Sequence, residues 1–362
     1  MSKKLIALLL ACLMVMSLLA GCGSGDTNTN TNTDSNTNTN TNTNDTADNN
    51  DAAAANDPKQ TIMVAHWYAE DHPIHQSLLK LKDEAESLSG GSLQIDIYPN
   101  AQLGSEDTYI DSVKQGTVQV GVTGTMIAKY HPVIYAQETP FLFSGWDDAY
   151  SVLNGEQGQL IADGFEEASG MVLLGSMVNG FREFSSNKPM YSLADFKGQR
   201  IRVPNVPHYI EMVNALGASP IAMSLTDLFT ALEQKSVDGQ DNPYPTDASQ
   251  SFDEVQDYIL ESRHMFSPAN LVINSNFYHN TLTDAQREAF DTALADAIAY
   301  NWEISEEADN EAKQELIDAG VEVTVPDEAF LADLQAAMQP VYEWYYANIE
   351  GSEAFIKAVL GE

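Results

Sequence analysis

Cysteine is scarce in this 362-residue sequence. It contains two cysteines, Cys12 and Cys22, and both lie close to the N-terminus. We expect Cys12 to be removed with a signal peptide and Cys22 to be acylated. The mature chain then has no free thiol, disulfide or thiolate metal ligand, which excludes cysteine-based chemistry.

Basic residues are also few. The sequence has 17 Lys and Arg against 53 Asp and Glu, giving a formal net charge of −36. A chain this acidic repels phosphate backbones, so nucleic acid is excluded as a partner. The general surface is predicted to be strongly solvated. An anionic ligand approaching it meets a repulsive far field, so any attraction must come from local arginines.

Motifs for catalysis are missing as well. There is no glycine-rich phosphate loop and no Gly-x-Ser-x-Gly nucleophile turn. The pair His72 and His75 has the wrong context for a metal site, since Pro73 lies inside the spacing and no further ligand is evident. We therefore predict no metal, no cofactor and no enzymatic activity.

One long apolar run is present, at residues 5–19, and it is short for a membrane span. Lys3 and Lys4 precede it, and Leu19-Ala20-Gly21-Cys22 follows as a lipobox. We predict that residues 1–22 are a lipoprotein signal peptide and that acylated Cys22 anchors an extracytoplasmic protein to the cell membrane. Residues 23–57 are rich in Thr and Asn and poor in apolar residues, which predicts a disordered tether.

The folded part begins with a β-α-β-α-β pattern. Short apolar strands are predicted at residues 62–65, 93–98 and 118–122, with helices between them, the second over 105–115. Alternating strands and helices favour a sheet that is largely parallel at this end. Further along, we predict helix over 147–167 and strands over 171–178, 271–274 and 321–325. The alternation of the 171–178 strand continues through residues 181–184, with Arg182 on the opposite face from Phe181.

The stretch from Asn179 to Pro243 concentrates turn residues and cations. Arg200-Ile201-Arg202-Val203 alternates in polarity, so a strand here places the two arginines on one face. Pro204 ends that strand, and a helix then runs to Leu216 and is closed by Gly217. A cation at the exit of a strand, beside the start of a helix, favours an anionic ligand.

Three segments of this stretch also carry a family resemblance: Gly180-Phe181-Arg182, Arg202-Val203-Pro204-Asn205, and Gln240-Asp241-Asn242-Pro243. The two arginines are 20 residues apart, and the second lies 40 residues before Asn242. This combination resembles the signature of the solute-binding proteins of tripartite ATP-independent periplasmic (TRAP) transporters, the DctP family. The likeness extends from about Thr61 to the C-terminus.

The resemblance implies an α/β fold of the two-lobed periplasmic-binding-protein type, class II, with a long helix that spans both lobes. We assign residues 58–179 and about 268–307 to lobe I, and residues 180–267 and about 308–362 to lobe II. The sequence itself predicts the long helix, because Thr283 to Gln286 form a capping box and Gly320 is a stop signal after residue 319.

The resemblance also implies a carboxylate site. Arg202 is predicted to bind the carboxylate through its planar guanidinium, which matches two oxygens, with Arg182 and Asn242 completing the site and Asn205 beside them. Other polar and aromatic residues predicted to line the pocket are Tyr68, His72, Glu138 and Tyr244. The alternatives are a surface ion pair for each arginine and a simple turn residue for Asn242.

The predicted function is an extracytoplasmic receptor, a monomer, that closes on a small organic acid and delivers it to TRAP permease subunits driven by an ion gradient. Thr123 and Met126 lie where the sialic acid branch has an acidic and a basic residue, which disfavours sialic acid. A sugar acid (uronate or aldonate) and a C4-dicarboxylate-like acid remain open. The alternatives are a lipid-anchored sensor or adhesion lipoprotein, and a secreted sugar-acid enzyme.

The lipobox makes a direct prediction. Replacing Cys22 by Ala removes the acylated side chain, so the protein should leave the membrane fraction and appear in the soluble fraction. Fractionation followed by immunoblotting measures this, and full membrane retention of the variant would refute the anchor.

Overall fold

The computed structural model describes residues 56–362. The predicted signal peptide, Cys22 and the tether as far as residue 55 lie outside the described residues. Nine strands form one mixed sheet in the order β2-β1-β3-β8-β4-β7-β5-β6, with β9 paired to β8. The strands are β1 (Gln60–Ala65), β2 (Leu93–Tyr98), β3 (Val120–Thr123), β4 (Met171–Ser186), β5 (Arg200–Val203), β6 (Ser219–Ala222), β7 (Gly239–Asn242), β8 (Tyr258–Asn274) and β9 (Glu322–Thr324).

Helices cover the sheet and link its strands. The described α-helices are α1 (Pro73–Leu88), α2 (Glu106–Gln115), α3 (Trp146–Leu153), α4 (Glu156–Ala162), α5 (Phe165–Ser169), α6 (Pro207–Ala215), α7 (Leu228–Glu233), α8 (Tyr244–Ser249), α9 (Asp284–Ala319), α10 (Glu328–Ala337), α11 (Gln339–Asn348) and α12 (Ser352–Leu360). Within residues 56–362, none of the helices has the length and apolarity that crossing a membrane requires.

The first half of the sheet has the predicted parallel arrangement. β1 pairs in parallel with both β2 and β3, while β3 pairs antiparallel with β8. Fully buried Ile62, Val64 and Ile95 pack with Leu78 and Leu81 of α1 in one apolar core. The apolar residues of the strands and of α1, from which the β-α-β-α-β pattern was predicted, are therefore buried in a common core.

The strand β8 is much longer than predicted, and β4 is slightly longer. β4 has 16 residues and β8 has 17, and they pair antiparallel along most of their length. Three register irregularities interrupt the ladder, at Leu173/Gly175, Val178/Gly180 and Arg182/Phe184. Each irregularity shifts which side chains face which side, so period-2 alternation is interrupted along these strands. The predicted strand 171–178, with its alternation through 181–184, nearly reaches the end of β4, whereas the predicted strand 271–274 covers only the end of β8. The proposed lobe boundary at residues 179–180 coincides with the second irregularity and stays a prediction.

The continuous helix predicted over 147–167 is wrong. The structure breaks it into α3, α4 and α5, with Gly155 before α4 and Gly164 before α5. Gly164 has φ +81°, a left-handed conformation that cannot continue an α-helix. The helical periodicity predicted each of the three helices correctly, but the apolar spacing continues across the two breaks and therefore does not indicate them.

The second half of the sheet matches the predicted strand, turn and helix. β5 pairs in parallel with β6 and β7, and Ile201 and Val203 are fully buried on one face. Pro207 begins α6, and Gly217, with φ +79°, follows its end. This arrangement places Arg202 one residue before the end of β5.

The long helix α9 is confirmed, with 36 residues ending at a left-handed Gly320. At about 1.5 Å per residue it is about 54 Å long. It packs against α1 beside the first half of the sheet and against α8 beside the second. At its middle, Asn301 Oδ1 accepts a hydrogen bond of 2.7 Å from the Val178 N–H, and Trp302 Nε1 donates one of 3.0 Å to the Ser176 carbonyl. The helix is therefore attached to β4 close to the irregularity at Val178/Gly180.

The start of α9 makes a stability prediction. Thr283 Oγ1 accepts from the Gln286 N–H at 3.1 Å, and the Gln286 side chain accepts from the Thr283 N–H at 3.2 Å. Thr283→Ala should lower the free energy of unfolding by about 1 kcal/mol, because the Gln286 N–H in the first turn loses its side-chain acceptor. Chemical denaturation measures the change. Thr281→Ala, at an exposed position before the helix, is the control, and equal effects of the two substitutions would contradict the capping role.

Candidate ligand-binding site

A cavity of about 370 Å³ lies between the two halves of the sheet. Its walls come from the loop after β1, the start of α2, the loop after β3, the exit of β5, the start of α6, the loop after β6, and the central strands β4, β7 and β8. The residues that line it include Trp67, Tyr68, Glu106, Asp107, Glu138, Arg182, Arg202, Asn205, Tyr209, Met223, Asn242 and Ser267. The volume falls in the range of small-molecule sites.

Arg182, on β4, is buried and paired with a carboxylate. Its Nε donates to Asp241 Oδ2 at 2.7 Å, its Nη2 donates to the Asp241 carbonyl, and its Nη1 reaches Ser267 Oγ at 3.5 Å. Burial raises the pKa of Asp241, but the charge of Arg182, with hydrogen bonds from His264 and Arg182, outweighs it and holds that pKa below its usual range. The guanidinium also lies 5.0 Å from the Tyr209 ring centroid. This is an ion pair, as the alternative interpretation expected, but a buried one at the cavity wall.

Arg202, on β5, is 4% exposed, and its contacts are of another kind. Nε and Nη2 donate to the Met223 carbonyl at 3.1 and 2.9 Å. Across residues 56–362, no Asp or Glu forms an ion pair with Arg202, and its Nη1 has no hydrogen-bond partner. Burial, then the nearby charge of Arg182, lowers its pKa to about 10. The guanidinium therefore remains charged at neutral pH and presents its terminal edge to the cavity.

The neighbouring Arg200 shows how position separates two arginines on one strand. Its side chain is 42% exposed and pairs with Asp238 at 3.0 Å. The surface ion pair considered for the arginines thus describes Arg200, while Arg202, two residues further on, enters the cavity.

Asn242 ends β7 and is held by a chain of side-chain amides. Its Nδ2 donates to Gln240 Oε1, and Gln240 Nε2 donates to Ser185 Oγ at 2.8 Å and to Asp247 Oδ1 at 2.9 Å. The bond to Asp247 Oδ1 orients the Gln240 amide and, through it, the amide of Asn242. Asn242 is therefore more constrained than a simple turn residue, and Asn205 is exposed at the cavity rim.

Tyr68 and Glu138 enter from the first half of the sheet. Tyr68 is buried and stacks on Trp67 with ring centroids 3.8 Å apart. Glu138 is buried and hydrogen-bonds His208 Nε2 through Oε2 at 3.2 Å. The structure thus brings together six of the eight predicted ligand-binding residues.

The other two lie outside this cavity. His72 caps α1, with Nδ1 accepting from the Ile74 N–H and Nε2 lying 3.0 Å from Asn179 Oδ1, and burial lowers its pKa to about 3. Tyr244 packs in a separate apolar cluster, and its hydroxyl donates to Glu261 at 2.8 Å. The sequence placed His72 in a polar loop and Tyr244 directly after a proline, but it did not indicate that both side chains lie outside the cavity.

Sequence reasoning missed Glu106, Tyr209 and Met223. Glu106 begins α2, and its Oε1 accepts from the Gly124 N–H at 2.8 Å and from the Thr123 hydroxyl. Burial raises its pKa to about 7 despite those hydrogen bonds. Tyr209 follows the Arg202-Val203-Pro204-Asn205 segment closely enough to have been suspected. Met223 contributes a backbone carbonyl, which leaves no signature in the sequence.

Two α/β halves with a cavity between them, and a buried arginine side chain at the cavity wall, are the arrangement of a solute-binding protein. The family model described as "bacterial extracellular solute-binding protein, family 7" (DctP) matches residues 64–348. The chain belongs to this family, the solute receptors of TRAP transporters.

Three solved structures illustrate the similarity. A TRAP periplasmic solute-binding protein from Haemophilus influenzae with bound L-gulonate is 33% identical, with a TM-score of 0.80 over 84% of this chain and 99% of that one. The sugar acid-binding protein DctPAm from Advenella mimigardefordensis in complex with galactonate is 27% identical, with a TM-score of 0.81 over 84% and 99%. A TRAP protein from Shewanella oneidensis with bound succinate is 28% identical, with a TM-score of 0.80 over 84% and 99%.

The buried pair of Arg182 and Asp241 makes a stability prediction. Asp241→Ala leaves a buried guanidinium without its counter-charge, so the free energy of unfolding should fall by about 3–5 kcal/mol. Asp238→Ala removes the partner of half-exposed Arg200 and should cost about 1 kcal/mol or less. Urea denaturation of both variants measures the difference, and similar losses would contradict the assignment.

The same pair predicts a pH dependence. The folded-state pKa of Asp241 lies below its usual value of 3.8, so its contribution is present above about pH 4 and is lost as the pH falls through the folded-state pKa. The difference in free energy of unfolding between the protein and its Asp241→Ala variant should therefore become smaller in acid. A gap that stays constant would indicate that the carboxylate charge is not the cause.

Proposed function

We propose that the protein captures a small organic acid in this cavity and delivers it to TRAP membrane permease subunits. The ligand is a sugar acid or a C4-dicarboxylate-like acid, and its carboxylate binds Arg202. Arg182, Asn242, Asn205, Tyr68 and Glu138 form the rest of the site.

The buried, unpaired charge of Arg202 carries this proposal. A guanidinium removed from water loses hydration energy unless an anion or a set of hydrogen-bond acceptors compensates for it. The Met223 carbonyl occupies one edge of Arg202 and leaves the terminal edge free to donate to two oxygens. A ligand carboxylate supplies both a counter-charge and a matching planar geometry.

The surrounding groups favour an oriented carboxylate over a free anion. Arg182 has its charge balanced by Asp241, so it contributes mainly hydrogen-bond donors and a cationic face beside Arg202. Asn242 has an amide whose orientation is set through Gln240 and Asp247. Fixed donors around one cation lower the reorganisation cost of binding.

The similar structures support the ligand class. The relatives with L-gulonate, galactonate and succinate bound are all carboxylate receptors of the same fold. They are receptors, which supports a binding role for this chain over a catalytic one.

Closure of the two halves around the ligand completes the proposal. The cavity takes its walls from both halves, and β4, β8 and α9 link them. Closing would exclude water and strengthen each charge-assisted hydrogen bond to about 1.5–3 kcal/mol. A lipid anchor at Cys22 would keep the receptor close to the permease, and we propose that it acts as a monomer.

The proposal predicts the effect of Arg202→Lys. Lysine keeps the charge but cannot donate two parallel hydrogen bonds and cannot hold the Met223 carbonyl in the same way. The dissociation constant of the bound acid should rise by roughly 30- to 1,000-fold, which is about 2–4 kcal/mol. Calorimetric titration with L-gulonate, D-galactonate and succinate measures this.

Arg200→Lys is the matched control. It makes the same change on the same strand, at the half-exposed arginine paired with Asp238. We expect its affinity to stay within about twofold of the unmodified protein. Unchanged affinity in Arg202→Lys, or equal losses in both variants, would remove Arg202 as the carboxylate anchor.

A further inference from the structure

The two walls of the cavity differ in charge. The wall from the second half of the sheet and β4 contributes Arg182 and Arg202. The wall from the first half contributes the carboxylates Glu106, Asp107 and Glu138. An acid bound at Arg202 therefore points the rest of its structure toward an acidic surface.

In the described part of the chain, the cationic wall attracts an anion with one uncompensated positive charge, although it contains two arginines. Arg182 is held at 2.7 Å by Asp241, so that pair is neutral as a unit. Across residues 56–362, no carboxylate offsets Arg202 in the same way. The wall consequently supplies the counter-charge for one carboxylate.

Glu106 is the acidic residue best placed to contact a ligand. Its Oε1 is occupied by the Gly124 N–H and the Thr123 hydroxyl, and those contacts hold the carboxyl group in position. Its Oε2 has no hydrogen-bond partner within residues 56–362, and the side chain lines the cavity. Asp107 differs, because its side chain is 49% exposed and pairs with Lys129 at 3.2 Å.

We propose that Glu106 makes this receptor selective for a polyhydroxylated monocarboxylate, a sugar acid, over a dicarboxylate. Its free oxygen accepts a hydrogen bond from a hydroxyl at the far end of the bound acid and repels a second carboxylate at that position. This inference rests on the proposed function, since it assumes that a carboxylate occupies Arg202.

The chemistry of the two ends explains the selectivity. An ionised carboxylate can only accept hydrogen bonds, so above the pKa of Glu106 a ligand hydroxyl satisfies it and a ligand carboxylate cannot. Like charges in a site of reduced dielectric repel each other, and that repulsion grows as water is excluded. The stacked rings of Trp67 and Tyr68 supply an apolar surface for the carbon chain between the two ends.

The test compares D-galactonate with galactarate, which differ in whether carbon 6 is a hydroxymethyl group or a carboxylate. At about pH 8.5, where Glu106 is ionised, we expect the protein to bind D-galactonate at least about 10-fold more tightly than galactarate. Glu106→Gln preserves the shape and removes the charge, so the ratio of dissociation constants should fall toward one, mainly because galactarate binds more tightly. Asp111→Asn is the control, because Asp111 lies on the same helix, pairs with Lys129 outside the cavity and should leave the ratio unchanged.

A pH series on the unmodified protein gives a second readout that does not depend on the folding of a variant. With its pKa near 7, Glu106 loses its charge as the pH falls from about 8.5 to about 6.5, so the ratio should narrow over that interval. Burial lowers the pKa of His208, the histidine that contacts Glu138, which favours its neutral form. The charged or titratable groups around Glu106 are Tyr68, Asp107, Tyr109, Glu138 and Arg202.

The outcomes separate the two hypotheses. Equal or tighter binding of galactarate, binding of succinate but neither hexose acid, or a ratio independent of both pH and Glu106 would overturn the role of Glu106 while leaving a carboxylate receptor intact. Failure to bind any of the three acids would overturn the proposed function along with it. A ratio that responds to pH and to Glu106→Gln but not to Asp111→Asn supports the inference.

Discussion

Two guanidinium groups lie buried beside one cavity of a protein whose overall charge is strongly negative, and they are compensated differently. Arg182 meets Asp241 across the antiparallel pair of β4 and β7, so its charge is settled within the fold. Arg202 donates to a backbone carbonyl, and the nearby positive charge of Arg182 lowers its pKa. Because Arg202 has no carboxylate partner of its own among the described residues, the oriented amide of Asn242 and the acidic wall opposite surround a cation that is available to a ligand.

The frame around the cavity explains how such a site can be both built and accessible. The strands β4 and β8 run through the centre of the sheet and contribute Arg182 and Ser267 at the level of the cavity. The helix α9 lies along both halves and is fastened to β4 through Asn301 and Trp302, near the register irregularity at Val178/Gly180. Irregular pairing locally disrupts a ladder, so a bend at this level would change the separation of the cavity walls.

Sequence patterns anticipated the elements whose signals are local. The alternation of Arg200 to Val203, the helix start at Pro207 and the capping box at Thr283 each depend on neighbouring residues, and each was confirmed. The extent of β8 and the breaks in the 147–167 segment were not anticipated. Register irregularities invert alternation, and Gly155 and Gly164 interrupt a helix pattern whose apolar spacing otherwise continues.

The sequence by itself determined the composition of the site: a chain with few cations, two arginines in a strand-rich stretch, and an asparagine in a glycine turn at a spacing typical of one receptor family. Only the tertiary structure decided which side chains face one another. His72 caps a helix and Tyr244 packs in an apolar cluster, so both have their partners outside the cavity. Met223 joined Arg202 through its carbonyl, and Glu106 came to the opposite wall through the pairing of strands far apart in sequence. Such contacts depend on the packing of distant segments, which residue patterns along the chain do not encode locally.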